Sequence, residues 1–373
     1  MELRVVRTLD HFDEIQSQWD GLLTRIDPVP LPLTHGWLRS WLDAFSFDTE
    51  MEFRCVFRGE DLVGIAPLVR SRSLYRGFPV TVLRLAANGH TPYSSIVVDT
   101  SVPGEIRKEV LTALTRVGPE EVGVFFKIHE NSELHHFLMN PASGAAKRVG
   151  QKPSLSTPVI QIDQTWDEFY GSRPRKLKKS LNNKRNKFDR SGRFSISEEK
   201  IISAEQSIVD ELIRISANSW KSRIGNDLGS NSRSRRFFLN LIASFGQLGT
   251  LSAWIIRSKD KPVAYELHLS CDGVVYPIRA DYDEGFKAYS PGSILEYTAL
   301  KSLFESGTCR QYYTCADDYW YLSNWANGYQ SLCTVELFGS HWTMRALYEL
   351  EYRLIPLVKR MIGRKDRTVR PLD

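Results

Sequence analysis

Two segments of the chain, Cys55 to Leu68 and Trp254 to His268, carry the same pattern of a β-rich run, a short polar turn and a second β-rich run. They align without a gap around their turns, with Val63 opposite Val263. A unit that returns at a constant offset indicates a duplicated domain rather than one long fold. The repeat therefore predicts two copies of one architecture.

The aromatic residues that precede each hairpin support the repeat. Trp19 and Trp37 precede the first hairpin, and Trp220 and Phe237 precede the second at nearly the same step. With 373 residues, of which 42% are hydrophobic and 25% charged, each half is long enough to bury a core of its own. We expect an N-terminal domain at 1–150 and a C-terminal domain at 151–373.

The order of apolar runs and breaks predicts an α+β fold in each half. In the first half, helices at 11–23 and 35–46 precede strands near 53–58, 80–85 and 95–98, a helix at 102–117 and a buried strand at 122–129. Helices around a mostly antiparallel sheet are typical of this class. The Gly-, Ser- and Pro-rich stretch 141–158 is the candidate linker, and the second half repeats the same order.

The N-terminus is charged and no long apolar run follows, which predicts a cytoplasmic protein with no membrane insertion. The five cysteines are scattered and show no metal-ligand spacing, so we expect reduced structural thiols and no metal.

Positive charge is concentrated in one segment. Between Arg173 and Arg190 nine basic residues stand against one acid, so the rest of a chain with net charge +5 is net negative. Leu177, Leu181 and Phe188 form a narrow apolar stripe, which predicts a helix with one face docked and one basic face exposed.

The most informative local pattern is Asp272-Gly273 between two strand-like runs, which favours a two-residue turn with positive φ. From that turn the register pairs His268 with Pro277 and Glu266 with Arg279, and alternation collects polar side chains on one face. The predicted set is Glu266, His268, Ser270, Arg279 and Asp281. It is either a solvated face held by a Glu266–Arg279 pair or a reaction site with a carboxylate or imidazole base.

A second signal follows this polar strand. Ser290, Pro291 and Gly292 are typical of a helix start, with a hydroxyl N-cap and proline at the first helical position. Such an end directs the amides of Gly292 and Ser293 outward, where the helix dipole favours an anion such as a pyrophosphate.

These residues carry a family resemblance. The stretch Lys261 to Leu295, the Ser-Trp-Lys at 219–221 and the basic segment at 173–188 resemble the Gcn5-related N-acetyltransferase (GNAT) superfamily. The whole chain resembles its tandem branch, the CelD-type and FemAB-like acyltransferases. In that superfamily the strand matching Val274 to Ala280 splays from its neighbour, and acyl-CoA lies in the opening.

The resemblance implies that the chain is an acyl-CoA-dependent N-acyltransferase with acetyl-CoA or another acyl-CoA as co-substrate and no permanently bound cofactor. Attack by an amine needs a base, because the free amine has a pKa near 10. The candidates are Asp281, Glu266 and His268, in that order, with Tyr282 or Tyr289 protonating the leaving thiolate. The donor site is predicted from the following residues: Lys287, Tyr289, Ser290, Gly292 and Ser293.

The acceptor is expected to be the amine of a small molecule or of a cell-envelope or polysaccharide-type compound. Its predicted contacts are Arg279, Arg175, Lys176, Trp220 and Tyr93, the last from the first half. That half has no helix-start glycine loop after its hairpin, so one active site per chain is expected.

Two departures from the family pattern keep alternatives open. Ser290 replaces the first glycine of the phosphate loop, and Leu322 replaces a lysine in the aromatic loop Tyr319 to Trp325. The basic segment admits three interpretations. It is a solvated face that covers the interface between the domains, a site for an anionic acceptor or CoA phosphates, or an RNA-binding surface. FemAB-like relatives take aminoacyl groups from charged tRNA, so a tRNA donor is the rival to acyl-CoA, and no DNA partner is expected. From another class, the chain could be a catalytically silent GNAT-like binding module.

Overall fold

The computed structural model describes residues 1–316 and 320–361, without the side chains of Pro141 and Trp320. Tyr319 of the predicted aromatic loop and the chain after Met361 lie outside the described residues. The strands are β1 (Glu2–Val6), β2 (Glu50–Arg58), β3 (Asp61–Tyr75), β4 (Phe78–Leu85), β5 (Val97–Val98), β6 (Glu121–His129), β7 (Arg148–Gln161), β8 (Phe194–Lys200), β9 (Leu251–Ser258), β10 (Lys261–Cys271), β11 (Val274–Tyr282), β12 (Gln311–Tyr313) and β13 (Gly328–Phe338).

The α-helices fall largely where the sequence predicts them. They are α1 (Leu9–Glu14), α2 (Gln16–Leu23), α3 (His35–Phe45), α4 (Gly104–Thr115), α5 (Glu133–Met139), α6 (Trp166–Ser172), α7 (Arg175–Arg190), α8 (Ser207–Ala217), α9 (Ser232–Phe245), α10 (Pro291–Ser306), α11 (Trp320–Ser323), α12 (Trp342–Glu349) and α13 (Ile355–Met361). Short 3-10 helices lie at Leu31–Leu33, Pro141–Ser143, Trp220–Ile224 and Glu284–Tyr289, and a π-helical turn at Leu350–Leu354. No helix among these described residues is both long and apolar enough to cross a bilayer.

The chain divides into two compact units. Unit 1 contains 1–38, 46–155 and 331–373, and unit 2 contains 39–45 and 156–330. The boundary that we placed at residue 150 thus falls inside β7, because residues 148–161 are a strand and not a linker. Unit 1 also takes a segment from the end of the chain.

In unit 2 the strand order is β7-β12-β11-β10-β9-β8, with residues 156–161 of β7 at one edge. β8 to β11 are antiparallel neighbours, β11 and β12 are parallel, and β12 and β7 are antiparallel. In unit 1 the order is β1-β2-β3-β4-β6-β13, with β5 against β3. β1 to β4 are antiparallel neighbours, β4 and β6 are parallel, and β6 and β13 are antiparallel.

The two units therefore repeat one order of strand directions, and the repeat extends to an irregularity. In β2–β3 the register shifts because Val63 is the extra residue, and in β9–β10 Val263 is the extra residue. These are the positions that align in the sequence. A β-bulge at equivalent places is a specific structural feature, and the predicted α+β fold with two similar halves is confirmed.

Local sequence explains how unit 2 positions its functional side chains. The Asp272-Gly273 turn has φ of 45° and 70°, the left-handed pair that a two-residue hairpin requires. Helix α6 begins with a capping box between Thr165 and Glu168. Helix α7 buries Leu181 and Phe188 and leaves most of its cations exposed, as its apolar stripe predicts.

Each unit has its own apolar core. In unit 2, side chains of α6, α7 and α10 pack on one face of the sheet and form two apolar clusters. The first contains Phe169, Leu300 and Trp325, and the second contains Trp254 and Leu295. Burial raises the pKa of Cys55 to about 12 and those of Cys271, Cys309 and Cys333 to about 11. These thiols stay protonated near neutral pH, in keeping with a structural role.

Candidate functional site

The predicted polar face is divided by a bulge in the hairpin β10–β11. Near the turn the register is as predicted, since Cys271 pairs with Val274 and His268 with Pro277. Between Leu267 and His268 the register shifts, and Ile278 becomes the extra residue. The predicted pairing of Glu266 with Arg279 is therefore wrong.

One added residue on β11 exchanges the faces of all side chains beyond it. Glu266 lies opposite Ala280, and Tyr265 lies opposite Asp281. Glu266 and His268 consequently lie on the face covered by α10, whereas Arg279 and Asp281 lie on the face covered by α8. The polar residues form two clusters on opposite faces instead of one site.

The cluster on the α8 face is centred on Asp281, which is buried. Its carboxylate accepts hydrogen bonds from Arg279 at 2.7 Å and from Tyr265 at 2.9 Å, and pairs with Lys221 at 2.8 Å. Arg279 also donates to Ser216 of α8 at 2.9 Å. We refer to these five residues as the Asp281 cluster.

Charge balance explains the state of Asp281. Burial alone would raise the pKa of this carboxyl, but the Lys221 and Arg279 cations hold the pKa below its ordinary value. Burial also lowers the pKa of Lys221, whose side chain keeps 21% of its surface accessible. A carboxylate with a lowered pKa and three donors is a weak proton acceptor, so this geometry favours a positioning role for our first-ranked base.

The cluster on the α10 face is centred on Glu266. Its Oε1 atom lies 2.7 Å from Nε2 of His268 and accepts a hydrogen bond of 2.7 Å from the Tyr312 hydroxyl. All three side chains are buried. Because Tyr312 belongs to β12, the carboxylate reaches beneath β11 to the strand on its far side.

Glu296 of α10 joins this cluster, and our sequence analysis missed it. Burial and the neighbouring Glu266 carboxylate raise the pKa of Glu296 to about 8, against opposing effects of the Trp325 side chain and the Lys184 cation. Part of the residue's surface remains accessible. We refer to Glu266, His268, Tyr312 and Glu296 as the Glu266 cluster.

The strands beside this cluster diverge. The ladder between β11 and β12 contains only the pairs Val274–Gln311 and Val275–Tyr312 in the described part of the chain. β11 then continues from Tyr276 to Tyr282 with β10 on its other side. This edge of β11 extends beyond the ladder for about 20 Å, at ~3.3 Å per residue, and its Ala280 carbonyl accepts a hydrogen bond from Lys221 at 2.8 Å.

The helix start at the far end of this edge differs from the prediction in one respect. Ser290 has φ +54° and its side chain makes no capping hydrogen bond, since a capping hydroxyl requires extended backbone. The expected hydroxyl N-cap is therefore wrong. The amides of Gly292 and Ser293 have no acceptor among the described residues, and a Cβ on Gly292 would meet nothing closer than Tyr282 at 3.8 Å.

Two cations of α7 flank this open helix start. Lys184 donates to the Ser293 hydroxyl at 2.8 Å, and the Lys187 ammonium lies 5.5 Å from the centre of the Tyr289 ring. Positive charge at an uncapped helix N-terminus favours an anion strongly. The spacing of the apolar stripe could have identified this face of α7, because Lys184 and Leu181 lie one turn apart.

The remaining predicted donor residues are near this point. Tyr282 ends β11 beside Gly292, and Tyr289 packs edge-on against Phe194 with 5.0 Å between ring centres. Lys287 is exposed on the 3-10 helix that precedes Ser290. The structure therefore brings these residues together with Ser290, Gly292 and Ser293 around the start of α10.

The predicted acceptor residues are dispersed. Trp220 is 44% exposed next to Lys221 of the Asp281 cluster, whereas Arg175 and Lys176 are exposed at the first turn of α7, remote from Lys184 on the same helix. Tyr93 is buried in unit 1, with its ring 4.7 Å from that of His129. Of the five, Arg279 and Trp220 lie in the part of unit 2 around Asp281.

Sequence comparison agrees with this geometry. Residues 175–322 match the family model of the acetyltransferase (GNAT) domain, a range that contains α7, both clusters and the start of α10. A comparison with curated protein sequences gives no match.

Solved structures show the same fold over most of the chain. FemX is 10% identical with a TM-score of 0.53, covering 94% of this chain and 100% of its own. L-PGS from Bacillus licheniformis is 11% identical with a TM-score of 0.52, covering 94% of this chain and 97% of its own. A conserved protein of unknown function from Bacteroides thetaiotaomicron is 11% identical with a TM-score of 0.54, covering 90% and 100%.

The strand order that both units repeat, and the short ladder between β11 and β12, agree with a fold of the GNAT type. Residues 175–322 match the GNAT acetyltransferase domain, and the fold of the chain as a whole is similar to that of FemX. The resemblance found in the sequence is thereby confirmed.

Proposed function

We propose that this protein transfers an acyl group from acyl-CoA to the amine of a small-molecule or cell-envelope-type acceptor. The observation that carries the proposal is the open helix start of α10. Two amides that have no acceptor among the described residues, at Gly292 and Ser293, lie beside Lys184 at the end of the β11 edge that extends beyond its ladder with β12. This arrangement suits a pyrophosphate with an extended arm.

The length of the β11 edge beyond its ladder with β12 supports one direction for the donor. With the pyrophosphate at Ser293, the pantetheine arm extends along β11 toward Tyr276, where β11 and β12 part. The thioester then lies near the bulge at Ile278, next to the Glu266 cluster. A backbone amide of β11 is available there for the oxyanion. Tyr282 lies at the phosphate end, which favours Tyr312 over Tyr282 as the hydroxyl nearest the leaving sulfur.

The chemistry requires one proton acceptor and one proton donor. The amine nitrogen forms a bond to the carbonyl carbon, the carbon–sulfur bond breaks, the amine proton goes to a base, and the thiolate takes a proton. Glu296, with a pKa of about 8 beside the Glu266 carboxylate, suits the acceptor role near neutral pH. Tyr312 donates to Glu266 at 2.7 Å and is the candidate donor.

The acceptor approaches from the α8 face in this proposal. The opening between β11 and β12 gives access from that side, where Trp220 is exposed and Lys221 binds the Ala280 carbonyl at 2.8 Å. The Asp281 cluster then holds the acceptor side of β11 in position. Arg279 makes its hydrogen bonds within the protein and therefore acts through the position of β11.

The test measures acyl-CoA binding and thiol release in the wild-type chain and in two α7 variants. Lys184→Gln removes the charge at Ser293 and should raise the Kd for acyl-CoA by roughly tenfold, the loss expected of one charge-assisted hydrogen bond. Lys179→Gln removes an exposed charge of the same helix and should leave the Kd unchanged. Equal effects of both variants would contradict the proposed phosphate position.

An aminoacyl-tRNA donor is the second candidate, because α7 also exposes Arg175, Lys176 and Lys179. A protein that is stabilised by no acyl-CoA but retains charged tRNA would support this donor. Stabilisation by neither, without thiol release, would indicate a silent binding module.

A further inference from the structure

Unit 1 contains a cavity of about 870 Å³ that is lined by none of the site residues named above and lies outside the range matched by the GNAT domain model. Its floor is formed by β1, β2 and β3, and its walls by the end of α4 and the segments 117–121 and 144–148. A volume of this order is typical of small-molecule sites.

The lining carries an excess of positive charge that the protein does not neutralise. Arg54, Arg70, Arg116, Lys147 and Arg148 face two carboxylates, Glu52 and Glu121. Both carboxylates are engaged, because Glu52 binds Arg54 at 2.7 Å and Arg70 at 2.9 Å, and Glu121 binds Arg70 at 3.0 Å.

Three basic residues of the cavity lining are not paired with these two carboxylates. Arg116, Lys147 and Arg148 form no ion pair within the described ranges 1–316 and 320–361. In addition, Arg148 has a buried Nη1 atom and Arg70 a buried Nε atom for which the described part of the chain offers no acceptor. A buried guanidinium N–H without a partner costs free energy that a bound oxyanion would recover.

Much of the remaining cavity wall is apolar. The residues concerned are Leu3, Val5, Ala113, Val117, Ala145 and Ala146. A ligand that contacts both the basic and the apolar residues of the lining combines an oxyanion with a short apolar chain.

We propose that this cavity binds a small organic anion, a phosphate or carboxylate on an apolar chain, with Arg148 and Lys147 as its main charged contacts. The proposal is independent of the acyl-donor site. It assigns a ligand-binding role to the unit in which the sequence predicts no active site.

Hydrogen exchange measured by mass spectrometry can test the position directly. The probes are hexyl phosphate, hexanoate and hexanol at fixed ionic strength, so that the first two distinguish a phosphate from a carboxylate and the alcohol reports on the apolar part alone. We expect protection of peptides covering 113–121 and 144–149 with one or both anions and none with hexanol. Protection confined to peptides around 282–294, or equal protection by hexanol, would overturn the proposal.

Matched variants test the contacts. Arg148→Gln and the exposed Lys147→Gln should each raise the Kd of the protective anion by roughly tenfold. Lys108→Gln, an exposed cation of α4 outside the cavity, should not change the Kd. Because Lys147 is exposed, its replacement tests the site even if Arg148→Gln reduces folding, and an unchanged Kd in Lys147→Gln would count against the proposal.

Discussion

Glu296 is the residue whose titration should be most visible in this protein. Its pKa rises from the ordinary 4.5 to about 8, so between these values the folded chain holds a proton that the unfolded chain releases. The free energy of unfolding contributed by this group therefore falls as pH rises from about 4.5 to about 8 and is level above that. In Glu296→Gln this fall should be absent, which urea denaturation at about pH 5 and about pH 8.5 would show.

The same substitution tests catalysis. Glu296→Gln should lower kcat/KM at least tenfold and remove an ionisation near pH 8 from the pH–rate profile, because the amide cannot accept the amine proton. Lys301→Gln, on the exposed side of α10, is the control that should leave the profile unchanged. A profile that keeps its ionisation near pH 8 in the Glu296 variant would assign the base elsewhere.

Asp281 should affect stability more than proton transfer. Asp281→Asn leaves Lys221 and Arg279 without their carboxylate and should lower the free energy of unfolding by roughly 3 to 5 kcal/mol. Because the pKa of Asp281 is lowered, this contribution is present above its ordinary value of 3.8 and is lost as pH falls below it. Urea denaturation measures the change.

A surface substitution provides the comparison. Asp210→Asn, at an exposed position in the first turn of α8, should change the free energy of unfolding by about 0.5 kcal/mol or less. If Asp281→Asn abolished acyl transfer while leaving stability intact, Asp281 would be the base after all.

The sequence does not indicate that Asp281 and Glu296 lie on opposite faces of the sheet. The alternation from Asp272-Gly273 places His268 correctly, but nothing in the letters Pro-Ile-Arg marks Ile278 as an extra residue. A single bulge then moves Arg279 and Asp281 to the other face. The sequence does not indicate Glu296, because a carboxyl within a helix is usually solvated. The raised pKa of Glu296 depends on burial and on Glu266, which comes from a strand distant in the sequence.

At the scale of elements, helices were predicted better than their ends. The stripe of Leu181 and Phe188 gives α7 correctly, since burial of one face follows from 3.6-residue periodicity. The start of α10 was predicted as a capped end, yet Ser290 has left-handed backbone. Its hydroxyl therefore leaves the first amides open, which is what makes the element a candidate anion site.

The C-terminal helices provide a prediction for unit 1. Glu351, in the π-helical turn, binds Arg76 and Lys152, and the ring of Tyr352 lies against Gly150 of β7. A Cβ at Gly150 would overlap the Tyr352 ring, so Gly150→Ala should lower the free energy of unfolding by roughly 1 to 3 kcal/mol. Thermal denaturation would measure the loss.

A glycine-to-alanine substitution at a position with open space should change the free energy of unfolding in the opposite direction. Gly171 lies inside α6 with nothing within 4 Å of a built Cβ. Gly171→Ala should therefore raise the free energy of unfolding by about 0.5 to 1 kcal/mol, because alanine favours the helix. A destabilised Gly171→Ala, or a neutral Gly150→Ala, would contradict the packing described at these two positions.

At the scale of the whole molecule, the repeat predicted two similar halves but not how the chain is shared between them. Unit 1 completes its sheet with β13, from residues 331–338, and unit 2 with residues 156–161 of β7. Unit 1 thus takes its last strand, and unit 2 takes the segment 39–45, from the far side of a boundary drawn at residue 150. Strand partners so distant in sequence leave no local pattern, and a polar stretch such as 148–158 looks like a linker.

This division predicts which pieces of the chain can fold. Residues 1–150 alone lack β13, which pairs with β6 from Val122 to His129 and buries Val335 and Leu337 in the core of unit 1. We expect this fragment to show no cooperative unfolding by circular dichroism, because β6 then has a bare edge and the core is open. Residues 1–155 joined through a glycine–serine linker to 331–361 should regain a cooperative transition. If the fragment 1–150 unfolded cooperatively by itself, β13 would be dispensable and the division of the chain into these units would be wrong.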